Sequence, residues 1–390
     1  MLLAALLAAL AWPAYEKVRQ SAHEAKLRQL DALKPAGPLS AEQKEAVKEF
    51  GERLARALTG GDVDKVATMV DFEAVADRAL IPLGEGTDSA QTRKELIDGY
   101  RGKHGGLFAA LLGNPVKYLR LGERDGFPAV RLRLMAREGT VNYVDVLVRV
   151  DEKGKVNVVD FFTFLFGTYA TTESRNATLG IPGDDPARFE AMSKMATALR
   201  LGRGEDVVSQ YQRLPAALKN ERTFFMMYLR ALTSLPTASA EVEKHYRQAL
   251  ADAPRLLGKE SATDLLRVEL HFLDGDFAGA EESLRHLEAL VGPDPYLTQM
   301  RALMLLRQGK VDEAQRLEKE ASAAEPDLPN LMDLRMMIYA AKKDYGALVN
   351  ELRAYKTKNQ MVISRQQLAD PEYEAFLKSP EFATWESENR

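Results

Sequence analysis

The chain has 390 residues, no cysteine, and 53 Lys and Arg against 57 Asp and Glu, a formal net charge of −4 with both signs interspersed. That length predicts two or three domains. The lack of cysteine excludes disulfides, thiolate zinc sites and a cysteine nucleophile, and no basic run marks a nucleic-acid partner.

Residues 1–14 open on an unbroken Leu/Ala run from Met1 to Ala11. A bilayer span takes about 20 apolar residues. The shorter run therefore predicts a secretory signal, with Ala9-Leu10-Ala11 as a small-x-small cleavage site, or a short membrane segment continuing through Trp12 to Tyr15. Either version makes the remainder exported or membrane-anchored, in the periplasm or cell envelope. No Lys or Arg precedes the run, so the terminal amine is its positive end. Residues 15–38 read as a charged helical stalk with Val18, Ala22, Ala25 and Leu30 on one stripe, closed by the linker Pro35-Ala36-Gly37-Pro38.

Residues 39–170 read as an α+β domain. Ser40-Ala41-Glu42-Gln43 has capping-box form, and Val47, Phe50, Leu54, Ala57 and Leu58 make the helix that follows amphipathic. Thr59-Gly60-Gly61 ends it, Asp62 caps a second helix through Val70, and a third covers Phe72 to Leu80. Ser89 to Leu112 is predicted helical again, interrupted by Gly99, Gly102 and Gly105-Gly106. The period then changes from 3.6 to 2, giving strands over Val116–Leu121, Ala129–Arg137, Val141–Val150 and Val156–Phe162. Helices before an antiparallel meander predict a sheet with one face covered by helices. This order, with Gly61-Asp62 between the first two helices, is similar to the nuclear-transport-factor-2-like superfamily, the cystatin-like α+β cone.

Cone folds of that kind enclose a pocket between sheet and helices, and some carry an Asp/His or Tyr/Asp pair there for proton transfer. The resemblance thus makes Tyr143, Asp145 and Phe162 the candidate pocket residues, with Asp71, Asp77, His104 and Asp160 as further titratable groups. General acid/base work needs two such groups facing one cavity with shifted pKa values. Asp71 and Asp77 lie at helix ends, where carboxylates commonly cap. The aromatic run Asp160 to Tyr169 reads first as the last core strand. Residues 171–186, rich in Thr, Asn, Gly, Asp and Pro, read as a linker.

Residues 187–363 repeat themselves. Gly275-Asp276-Phe277-Ala278-Gly279-Ala280 aligns with Gly309-Lys310-Val311-Asp312-Glu313-Ala314 and with Lys343-Asp344-Tyr345-Gly346-Ala347-Leu348, at steps of 34 residues. Each unit reads as two amphipathic helices around a short break. Gly309 suits a left-handed turn, Ala302 and Ala314 a close helix crossing, and Pro326 a stop. The period, small crossing residues, Gly turn and closing proline resemble the tetratricopeptide repeat family. Five units are predicted, starting near Arg188, Thr223, Ser261, Pro295 and Pro329, with Tyr246 to Pro254 as the second half of one. The fold expected is multidomain: a C-terminal all-α helical solenoid of tetratricopeptide type plus an N-terminal α+β cone-like domain. Residues 364–390 read as a capping helix in which Tyr373, Phe376, Leu377 and Phe382 cover the last unit.

In that family the first helix of each unit lines a concave groove, which makes Met192, Met227, Leu265, Glu269 and Gln299 candidates for partner binding. The Lys and Asn clamp of the chaperone-binding subset is missing, since Met192 and Ala196, Met227 and Ala231, and Leu265 and Glu269 occupy those places. Nine methionines fall between Met192 and Met337, reading first as core filler and second as an adaptable surface. There is no phosphate-cradling Gly-rich loop, no His-Glu-x-x-His and no Gly-x-Ser-x-Gly, and the five histidines lack ligand spacing. No catalytic residue, cofactor or metal is therefore expected. The expected function is a non-enzymatic protein–protein interaction scaffold of the cell envelope that holds a partner segment in its groove. The alternative is a small-ligand-binding or enzymatic cone domain with repeats for recruitment or oligomerisation.

Overall fold

The computed structural model describes residues 34, 37–80, 90–102, 106–109, 111–135, 141–151, 153–164, 167–172, 186–233, 235, 240–257 and 264–389. The predicted signal or membrane segment at 1–14 lies outside the described residues, as does the stalk at 15–38 apart from Lys34, Gly37 and Pro38. So do most of the linker and His104. The described chain is mostly helical with one antiparallel sheet of five strands. It divides into two compact units, Met1–Leu270 and His271–Arg390.

The first unit begins with α1 (Ala41–Thr59), α2 (Val63–Ala67), α3 (Phe72–Leu80) and α4 (Ala90–Tyr100). The capping box forms as its sequence requires: Gln43 N–H donates to Ser40 Oγ at 3.1 Å and Ser40 N–H to Gln43 Oε1 at 2.9 Å. The strands are β1 (Val116–Arg124), β2 (Phe127–Met135), β3 (Val141–Val150), β4 (Val156–Thr163) and β5 (Thr168–Tyr169), each paired antiparallel with the next. Val47, Phe50, Leu54 and Leu58 of α1 pack on Val130, Leu132, Val144, Val146 and Val158, so the helices cover one face of the sheet. Gly51 makes this approach possible, because a Cβ there would lie 2.6 Å from the Tyr118 ring and 2.8 Å from Val130.

Several details differ from expectation: the second helix, predicted through Val70, ends at Ala67, and a fifth strand, β5, follows the four predicted. The helix predicted through Leu112 ends at Tyr100, as its glycines dictate at about 1 kcal/mol each. A 3₁₀ turn at Gly106–Phe108 then brings Phe108 against Phe161, ring centroids 5.1 Å apart. Thr171, placed at the start of the linker, is buried and bonded into the α+β region.

Helices continue with α5 (Pro186–Arg200), α6 (Gly204–Arg213), α7 (Ala216–Lys219), α8 (Arg222–Thr233), α9 (Ala240–Leu257) and α10 (Asp264–Leu273), the last crossing the boundary between units. Met195, Val207, Phe224, Tyr228, Leu232 and Ala249 share one core there, and the Tyr211 and Tyr228 rings stack at 4.2 Å. Pro254 does not stop its helix as expected; α9 runs on to Leu257, and the proline only removes one bond in the final turn.

The second unit contains α11 (Phe277–Val291), α12 (Pro295–Arg307), α13 (Val311–Ala324), α14 (Leu331–Lys342) and α15 (Tyr345–Asn359), each packed on the next where contacts are dense. Ala302 and Ala314 are fully buried beside Leu334 and Ile338, as a close crossing demands. The 34-residue step is visible in the backbone. Gly275, Gly309 and Lys343 take φ of 73°, 75° and 57°. The residues after them, Asp276, Lys310 and Asp344, donate to His271, Leu305 and Tyr339 carbonyls, each at 2.9 Å. This is the Schellman helix ending, which satisfies carbonyls that a helix terminus would otherwise leave bare. Gly202 and Arg203 make the same turn between α5 and α6.

The C-terminal segment departs from the single helix predicted. It forms a 3₁₀ turn (Pro371–Tyr373) followed by α16 (Glu374–Leu377) and α17 (Pro380–Ser387). Ser379 caps α17 through Phe382 N–H at 3.2 Å, and Pro380 takes the first helical turn, where its missing N–H is harmless. Tyr373, Phe376, Phe382 and Trp385 are buried against Met336, Leu348 and Leu352.

Candidate functional site

The face of the sheet turned away from α1 carries the three candidate pocket residues. Register fixes this, since Arg131 pairs Asp145 and Arg133 pairs Tyr143 between β2 and β3, while Asp145 pairs Phe162 between β3 and β4. An irregularity between Leu147 and Val148 shifts β4 so that Asp160 faces Leu147. The structure therefore brings Tyr143, Asp145 and Phe162 together.

Asp145 is 0% exposed. Its carboxylate accepts from Arg131 Nε at 2.6 Å and Nη2 at 2.9 Å, and from Arg124 Nε at 2.7 Å. The Arg124 guanidinium stands 3.9 Å over the Phe162 ring, and Phe164 packs edge-on against both Phe162 and Tyr143. Beside this group Asp160, also fully buried, accepts from Arg78 Nε at 3.0 Å, Thr171 Oγ1 at 2.7 Å and the Phe161 N–H at 2.8 Å. Burial pushes the Asp160 carboxyl up, opposed by Arg78 and Thr171.

Such an arrangement binds charge tightly and leaves little room for exchange. A buried carboxylate held by two guanidiniums has its lone pairs engaged, and a ligand reaching Tyr143 or Asp145 would have to displace Phe162 and Phe164. Asp71 caps α3 through Ala74 N–H at 3.1 Å and pairs with Arg149 at 2.6 Å. Asp77 pairs with Arg93 at 2.9 Å. The partners Arg78, Arg124 and Arg131 were not singled out from sequence. The signal for Arg131 was its alternation with Val130 and Leu132, which places it on the face opposite those valine and leucine side chains.

The candidate groove residues have different fates. Met192 and Met227 are half-buried against the apolar core of the first unit's helices. Leu265 is buried among the α10 core positions. Glu269, one turn further on α10, is half-buried, and burial pushes its carboxyl up to about 7; its charge acts on the nearby Tyr246 phenol, which donates to the Leu232 carbonyl. Gln299 is buried in the second unit and donates through Nε2 to the Pro329 carbonyl at 3.0 Å. Of the candidate positions, Met192, Met227 and Glu269 thus keep partial exposure.

Among the described residues no group of three His, Asp or Glu side chains is arranged to hold a metal ion, and no helix is long and apolar enough to cross a membrane. No family model matches the chain, and neither a curated protein nor a solved structure matches it.

Proposed function

We propose that the chain is a non-enzymatic protein–protein interaction scaffold. Its helical region is a tetratricopeptide-type array of five helix pairs, and its α+β region is a nuclear-transport-factor-2-like domain serving as a second contact surface. The observation that carries this is the Schellman turn recurring at 34-residue steps between paired helices, at Gly275, Gly309 and Lys343. A repeated supersecondary unit presents an extended surface. The Leu/Ala run at 1–14 supports a place at the cell envelope, exported or membrane-anchored. The alternative, a cone domain that binds or turns over a small ligand, finds little support in a face where Asp145 is sealed between Arg124 and Arg131 behind Phe162 and Phe164.

The test is capture with the full-length protein from its native membrane fraction, set beside the paired substitutions Met192→Glu and Met227→Glu. One specific protein should be retained by the parent and lost by the pair, with unchanged thermal unfolding. Retention by the pair, or a co-purifying small molecule lost on Asp145 substitution, overturns the scaffold reading.

A further inference from the structure

In the second unit a cavity of about 700 Å³ opens between the loop before α14, helices α14 and α15, and the segment that leads to the 3₁₀ turn at Pro371–Tyr373. That volume is in the range of specific ligand sites, roughly 300–1,000 Å³. Its apolar wall is adaptable: Met332 and Met337 from α14, Tyr355 from α15, and Ile363. None of these was expected to line a site, and the methionines had read first as core filler.

The charges around it do not balance. Five carboxylates and two cations line the cavity: Asp327, Asp333, Glu351, Asp370 and Glu372 against Arg335 and Lys358. Both cations are engaged, Arg335 with Glu318 and Glu351, and Lys358 with Asp327 at 3.2 Å. Glu372 takes Arg307 from outside the lining. Asp333 and Asp370 have no cationic partner among the described residues. Asp333 is solvent-exposed, yet protein crowds it on enough sides that burial raises its carboxyl above the ordinary range, as a carboxylate in a recess should behave. Burial, then the nearby charges of Asp333 and Asp370, also push the Tyr373 phenol up. Both carboxylates therefore act on one buried ring at the cavity's edge.

We propose that this cavity receives a lysine or arginine side chain carried on an otherwise apolar segment of a partner protein. Asp333 and Asp370 take the cation, and Met332, Met337 and Tyr355 take its apolar neighbours. This rests on the scaffold reading and names the chemistry of a segment the scaffold would hold. A cation supplies the charge the lining lacks, and apolar flanks match the thioether and aromatic wall.

The experiment uses the full-length protein and a fluorescein-labelled peptide with one arginine centred among leucines and alanines. The same peptide with glutamine at the centre is compared, as is n-butylguanidine as competitor. Anisotropy should show saturable binding of the arginine peptide, weakened about tenfold or more by the glutamine exchange and by Asp333→Asn with Asp370→Asn. Salt should weaken it. Thermal unfolding of the Asn pair should match the parent, both substitutions being isosteric and Asp333 and Asp370 solvent-exposed.

Three outcomes overturn the proposal: no saturation at about 1 mM protein, equal binding of the glutamine peptide, or binding indifferent to the Asn pair. Displacement by n-butylguanidine at concentrations as low as those of unlabelled peptide would make the site one for small cations and overturn the partner segment. Absence of peptide binding while the parent still captures a partner that the methionine pair loses sinks this inference alone, whereas capture that Met192→Glu with Met227→Glu does not affect sinks the scaffold reading.

Discussion

The sheet region and the helical region reach order by opposite means. In the sheet region the side chains that fix the second face come from separate elements: Arg78 meets Asp160 across 82 positions, and Asp145 on β3 gathers Arg131 from β2 and Arg124 from β1 beyond it. In the helical region one device of six consecutive residues, a left-handed residue followed by a 2.9 Å bond back to the last helical turn, is repeated at steps of 34. Unique long-range pairs should fail singly and severely, while local devices should fail mildly and independently.

The largest effect that could break this comparison is at Asp145. Asp145→Ala leaves Arg124 and Arg131 facing each other in a buried site, and a loss of about 3–5 kcal/mol is expected in urea unfolding. A loss below about 1 kcal/mol would mean the guanidiniums find water, and the face is open after all.

Glu269 tests the helical side, because it is a half-buried carboxylate with no cationic partner among the described residues. Its folded pKa of about 7 stands above the usual 4.5, so the native state binds more protons than the unfolded chain between those values. Stability from this group is present below about pH 4.5 and falls as pH rises through 7. At pH 8 the ionised carboxylate costs up to about 3 kcal/mol. Glu269→Gln should therefore be more stable than the parent at pH 8, equal to it near pH 4, and lack its slope between. Unfolding at both pH values checks the sign.

Gly51→Ala sharpens the comparison at backbone level. The added methyl meets the Tyr118 ring and Val130 at under 3 Å, and a cost of about 1–3 kcal/mol is expected from overpacking. The smallest effect runs the other way. Lys343 holds the left-handed position that glycine holds at 275 and 309, so Lys343→Gly should raise stability by about 1 kcal/mol. A destabilised variant would mean that the repeated turn depends on its side chains.

What could be read from the residues follows the same division. The capping box at Ser40, the period-2 strands, the left-handed turn at Gly309 and the small residues Ala302 and Ala314 are local signals, and each lies where its pattern placed it. Gly202 escaped notice because the residues around it do not share the 34-residue alignment, although its turn is the same. Tyr143 and Asp145 were legible as one face of a strand through alternation, while their grouping with Phe162 came from the resemblance. Their guanidinium partners depend on the register of β1 on β2 and of β2 on β3, including the irregularity at Tyr118/Arg120, which no stretch of any one strand announces. Leu265 and Gln299 were read as groove positions, and packing of their helices against others buries both. The break at Ser379-Pro380 was readable in principle, since Ser before Pro is a helix start, and the aromatic spacing around it masked the signal.

The order of the strands has a kinetic consequence. With every strand beside its successor from β1 to β5, the meander can zip one hairpin at a time, each closure spanning a short loop and costing little chain entropy. The Asp125-Gly126 turn, both residues left-handed, is the natural place for that zipping to begin. The slow step in this region is then the docking of α1 and α3 onto the finished sheet, because those contacts join residues farthest apart along the chain.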